Sequence, residues 1–104
     1  MTGEPILQFL DDVTEIAFDE LLEASGLARE ELLELVEFGV FHPRGPAGEA
    51  WRFSARAIVL GRQAARLRDD FDLNPSGMAL ALTYIEQIEE LERRLRELEC
   101  LLLR

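Results

Sequence analysis

A chain of 104 residues with 48% hydrophobic side chains has the size of one domain, in which folding removes roughly 60–70% of the unfolded chain's surface from water. Twenty-one acidic residues face eleven arginines and no lysine, a net charge of −10. That balance argues against unaided binding to nucleic acid or anionic lipid, whose affinity comes largely from cations that release counterions. The amino end, Met1-Thr2-Gly3-Glu4-Pro5, has no basic and apolar leader, and the longest strictly apolar run, Met78 to Leu82, falls far short of the ~20 residues that cross a bilayer. A soluble, cytoplasmic protein is expected. With one cysteine, Cys100, and one histidine, His42, no internal disulfide and no Cys/His zinc site can form.

Residues 1–14 carry a short apolar patch, Ile6, Leu7, Phe9 and Leu10, closed by Asp11-Asp12, readable as an edge strand or as a packed arm. From Phe18 the pattern turns helical. Asp19 can serve as N-cap, Leu21, Leu22 and Ala24 supply the apolar side, and Gly26 ends the helix after about two turns. A second helix follows over 29–38, with Leu32, Leu35 and Val36 inward and Gly39 as its stop. Two short helices joined by a glycine turn make a helix-turn-helix. Val40-Phe41-His42 then reads as a strand stopped by Pro43, with Trp51-Arg52-Phe53 as its return across a Gly- and Pro-rich loop, which is a small wing.

Ser54 caps a third helix, whose stripe Ala57, Leu60, Ala64, Leu67 and Phe71 recurs at alternating spacings of three and four. After Asp72-Leu73-Asn74-Pro75 the last segment has no breaker and can be one helix of ~40 Å. Ala81, Tyr84, Ile88, Leu91, Leu95, Leu98 and Leu102 form the a/d seam of a coiled coil. The pairs Glu89/Arg93, Glu90/Arg94 and Glu92/Arg96 lie in the favoured i, i+4 order. A seam this rich in leucine needs a partner, and a homodimer is preferred to a seam folded back on the protein's own core. Arg94 and Glu99 can serve either a parallel or an antiparallel pair. The expected fold is mainly α: a winged helix-turn-helix body over 1–73 with a small β wing, and a long C-terminal coiled-coil helix over 74–104 for dimerisation.

The order helix-turn-helix, wing, helix and coiled-coil helix resembles the MerR-type winged-helix regulators. Gly39-Val40-Phe41-His42-Pro43-Arg44, followed by Trp51-Arg52-Phe53, carries the likeness in the strand and wing. A closer resemblance is to the CbpM family of chaperone modulators. It rests first on the Gly26 turn leading to Glu31-Leu32 and Leu35-Val36, and on Gly39-Val40 with Pro43-Arg44. It continues through Trp51-x-Phe53, Ala65-Arg66-Leu67-Arg68 and Leu73-Asn74-Pro75-Ser76-Gly77 to Ala79-Leu80-Ala81-Leu82. Ala28 departs from it, since Ser or Thr is common at that helix start. The resemblance spans about Phe18 to Leu95. It implies a partner, the J domain of a CbpA-type Hsp40 co-chaperone, and an activity, inhibition of that co-chaperone's Hsp70-stimulating and nucleoid DNA-binding activities.

The charge map bears on this directly. Up to residue 50 there are twelve acidic residues against Arg29 and Arg44, and beyond it nine against nine. A winged helix that reads DNA needs Arg, Lys, Asn or Gln on its second helix. Here that helix carries Glu30, Glu34 and Glu37 at i, i+4, i+7, joined by Glu31, a face that repels phosphate. Taken alone, such a glutamate face is simply solvated. With the family resemblance it becomes a surface for the basic helix that J domains present to Hsp70, so that binding excludes Hsp70 by competition. The expected contacts are Asp19, Glu20, Glu23, Glu30, Glu34 and Glu37, with Leu33 or Phe38 as apolar centres; dimerisation falls to Tyr84, Ile88, Leu91, Leu95, Leu98 and Leu102.

The remaining prominent residues read as structural. Trp51 and Phe53 cover the core, with a partner anchor as the alternative, His42 has no evident catalytic neighbour, and Cys100 lies off the seam. Arg62, Arg66 and Arg68 form a strip that reads as a solvated face or, like Arg44 and Arg52 on the wing, as the place of a residual DNA-backbone contact. No catalytic set, cofactor motif or metal cluster appears, so no enzyme, no cofactor and no metal are expected. The competing readings are a MerR-type DNA-binding transcriptional regulator, which would shift duplex DNA at low salt, and a generic coiled-coil adaptor, whose binding would survive loss of the wing.

Overall fold

Two alanines open the first two helices, and in each case a glutamate three residues on does the capping. The structure, a computed structural model, describes residues 14–46 and 51–103. Helix α1 (Phe18–Ser25) starts after Ala17, whose N–H donates to Glu20 Oε1 at 2.8 Å, and α2 (Arg29–Glu37) starts after Ala28, whose N–H donates to Glu31 Oε1 at 2.9 Å. These glutamates supply one half of a capping box; alanine has no oxygen with which to supply the other. Ala17, one residue outside the helix, therefore stands at the N-cap predicted for Asp19, which lies in the first turn. Gly26, at φ 83°, ends α1 as predicted.

The wing differs from the predicted hairpin. Strand β2 (Arg52–Ser54) pairs antiparallel with β1 (Glu15–Ala17), in the register Ile16 opposite Phe53. On the other edge of β2 only one bridge forms, Arg44 to Arg52, with N···O distances of 2.7 and 2.9 Å. Residues 40–42 are not a strand, and the end of α2 has already used the N–H of the first of them. Gly39 turns at φ 83°, its N–H donates to Val36 O at 3.0 Å, and the Val40 N–H donates to Leu35 O at 2.9 Å, the two bonds of a Schellman end. Pro43 has no N–H to offer. The apolar patch at Ile6, Leu7, Phe9 and Leu10, and residues 47–50 of the loop predicted over Arg44 to Ala50, lie outside the described residues.

Helix α3 (Ala57–Phe71) follows Arg56, and Ser54 contributes by accepting the Arg56 N–H at 3.2 Å rather than as the cap itself. Its predicted stripe holds through Leu67, but Phe71 is exposed, since it lies on the last turn. The closest helix contact uses smaller residues: a Cβ on Gly61 would stand 2.7 Å from Ser25 Cβ on α1. Gly61→Ala should therefore destabilise the fold by about 1–3 kcal/mol, even though alanine is the better helix former. The check is a lower urea midpoint at unchanged slope.

Asn74 caps the last helix, α4 (Pro75–Leu102), its Oδ1 accepting the Gly77 N–H at 2.8 Å with Pro75 in the first turn. The core gathers Leu21 of α1, Leu32 and Leu35 of α2, Phe53 of β2 and Met78 and Leu82 of α4. Beyond Ile85 the remainder of α4 projects from the body, and the molecule measures 52 Å along its long axis against about 30 Å across. No buried side-chain nitrogen or oxygen among the described residues lacks a hydrogen-bond partner, and no helix among them is long and apolar enough to cross a membrane.

Candidate protein-interaction surface

Helix α2 is amphipathic in a way that divides its charges. Leu32 and Leu35 are fully buried, while Glu30, Glu34 and Glu37 are exposed on the opposite face. None of these three carboxylates, nor exposed Glu23 on α1, has a hydrogen-bond or ion-pair partner among the described residues. Beside them Leu33 and Phe38 are exposed apolar side chains, Phe38 to 53%. The other two predicted contacts are partly occupied. Asp19 stands 3.8 Å from Arg29, and Glu20 caps α1. Arg29 itself lies 4.9 Å over the ring of Phe18, which anchors a cation at the edge of the acidic face.

Glu31 does not belong to the outward face on which sequence spacing placed it. It is half-buried and accepts from Arg68 Nη1 at 2.6 Å, while the same guanidinium group reaches Gly26 O at 3.3 Å. Asp69, followed by Glu31, holds the Arg68 guanidinium above its usual pKa. Arg62 does a similar job nearly two turns earlier, donating to Ala24 O at 3.0 Å. The two arginines thus meet carbonyls at the C-terminal end of α1, where a helix carries partial negative charge. Of the predicted basic strip only Arg66 lacks a partner among the described residues, and Arg44 on the wing is bound to Glu15 at 2.7 Å. The strip is thereby largely a clamp between α3 and α1 rather than a cationic surface.

The projecting helix leaves its seam bare. Tyr84, Ile88, Leu91, Leu95, Leu98 and Leu102 are between 54% and 85% exposed, so the alternative in which the seam folds back on the body does not occur; Ala81 alone is half-buried. Of the predicted ion pairs only Glu90 with Arg94 forms, at 3.0 Å. Arg93 reaches Glu90 and Glu97 instead, at 2.5 and 2.6 Å, leaving Glu89 without a partner among the described residues. Arg93, and after it Arg94, hold the Glu90 carboxyl below the usual carboxylate range. No group of metal-ligating side chains occurs among the described residues, and Cys100 is an exposed free thiol.

A helix-turn-helix, a small wing, a third helix and a projecting fourth define a winged helix-turn-helix regulator body. The family model described as "MerR HTH family regulatory protein" matches residues 16–100. Among curated relatives, the chaperone modulatory protein CbpM of Coxiella burnetii is 37% identical over 84 residues, 81% of this chain and 79% of the relative. The CbpM proteins of Salmonella arizonae, 36% identical over 71% of this chain and 73% of theirs, and of Pseudomonas putida, 29% identical over 76% and 78%, are similar as well. The chain belongs to the MerR helix-turn-helix family, and within it to the CbpM chaperone modulators.

Proposed function

We propose that this protein is a non-enzymatic, cytoplasmic modulator that binds the J domain of a CbpA-type co-chaperone through the acidic face of α2. By occupying the J domain's basic helix it blocks stimulation of Hsp70 and, indirectly, the co-chaperone's own DNA binding. The observation that carries this reading is the set of exposed carboxylates Glu30, Glu34 and Glu37, without a partner among the described residues, on the helix with which a DNA-reading relative would grip its duplex. Opposite fields of this kind speed association and make it sensitive to salt, because exposed charges are screened beyond ~10 Å at 0.1 M ionic strength. The names of the curated relatives support a chaperone partner.

The test is calorimetric titration with the purified J domain, with and without Hsp70. Binding that weakens as salt rises and is competed by Hsp70 is the expected result; no heat of binding at low salt, together with a gel shift of nonspecific duplex, would transfer the protein to the class of DNA-binding regulators.

The second part of the reading is a homodimer through α4. An exposed stripe of six large apolar side chains is more than monomers ordinarily leave in water. Leu91→Arg combined with Leu95→Arg should halve the mass in sedimentation equilibrium while leaving the circular dichroism of the body intact. An unchanged mass for that variant would place the interface elsewhere.

A further inference from the structure

The acidic face of α2 does not end at Glu37. Phe38, the next residue, is the lip of a groove of about 620 Å³ that runs between the turn following α2, the start of α3 and the α4 segment around 82–89. That volume is in the range of specific binding clefts, roughly 300–1,000 Å³. Phe38, Val40, Leu60 and Ile85 give it an apolar floor, and Glu86 and Glu89 line its α4 side. We propose that this groove is the second half of the J-domain surface, seating a large apolar side chain of the partner's basic helix while Glu86 and Glu89 engage cations on its far side. This inference rests on the J-domain reading and adds to it the apolar anchor and a second acidic rim.

The charges around the groove support an occupant that is cationic as well as apolar. Two arginines line it, but Arg44 is held by Glu15 at 2.7 Å and Arg56 has its own interaction partner. His42 stands on the same wall, on the turn that follows α2. Glu86 and Glu89 have no hydrogen-bond or ion-pair partner among the described residues, since Arg93 turns to Glu90 and Glu97. The carboxylates on the groove's own lining that have no partner among the described residues are thus Glu86 and Glu89 of α4, and Glu37 of the α2 face immediately precedes Phe38 in the chain. A basic helix laid over this apolar floor beside the α4 carboxylates is the helix-in-groove mode of recognition. Glu86 and Glu89 fall at heptad positions f and b, away from the a/d seam, so dimerisation through α4 leaves this side of the helix open.

The experiment compares the wild type, E86R/E89R and F38A in calorimetric titrations with the purified J domain, alongside NMR of methyl-labelled Leu60 and Ile85. The expected result is a loss of affinity of at least tenfold for E86R/E89R, a several-fold loss for F38A, and shifts of the Leu60 and Ile85 methyl signals when the wild type is saturated with J domain. Wild-type binding with E86R/E89R within twofold of it, or with both methyl signals unmoved, overturns the groove and leaves the α2 surface standing. A wild type that does not bind the J domain overturns both.

Discussion

Reversing the α2 face, Glu30→Arg with Glu34→Arg and Glu37→Arg, is expected to lower affinity for the J domain at least ~100-fold while the protein stays folded. Each substitution replaces an attraction by a repulsion at a distance where water only partly screens it, and three in succession along one helix face act on the same partner surface. The cost to the fold is small because all three side chains point away from the core formed by Leu32 and Leu35. It is confined to the loss of favourable charge at the start of α2, of order 0.3–1 kcal/mol. The readings are calorimetric affinity and far-UV circular dichroism on the same sample. The effect should shrink as salt is raised, whereas loss of an apolar contact would not. An affinity unchanged by the triple reversal would take the acidic face out of the partner surface.

The largest effect on stability is expected at Phe53, where Phe53→Ala should cost about 3–5 kcal/mol. That is a large part of the ~5–15 kcal/mol by which a domain is held folded. Phe53 is 1% exposed and is the hub of an aromatic cluster, with its ring centroid 6.3 Å from Phe18, 6.3 Å from Phe41 and 6.0 Å from Trp51. Phe41 and Trp51 meet it edge-on, the geometry in which the positive ring edge faces the negative ring face. Because the cluster joins β2, α1 and the turn after α2, the vacated space cannot be closed by moving one element alone. Urea denaturation followed by Trp51 fluorescence measures the loss; a midpoint close to wild type would mean that the cluster collapses around the smaller side chain.

These expectations connect through the way the body presents α2. The helix is held from behind, with Arg68 bonded to both Glu31 and Gly26 and Arg62 bonded to Ala24, so α3 and the turn between α1 and α2 form one frame. A rigid support of this kind keeps the glutamate face ordered before any partner arrives, which lowers the entropy to be lost on binding.

Sequence periodicity by itself determined the four helices and the glycine turns between the first three. Each of these is a local property: helix spacing needs only neighbours three and four residues apart, and Gly26 and Gly39 turn at positive φ whatever surrounds them. The charge division between the two halves of the chain was legible for the same reason, since it is a count. Tertiary structure alone decided the wing, because the Val40 N–H was claimed by the end of α2 and β2 found its partner more than thirty residues earlier in the chain, in β1. It also decided which charges are free. Glu31 and Glu34 look alike in sequence, yet one faces Arg68 across 37 positions and the other faces water. The groove behind Phe38 likewise exists only where three separated segments meet, and no spacing along one of them could announce it.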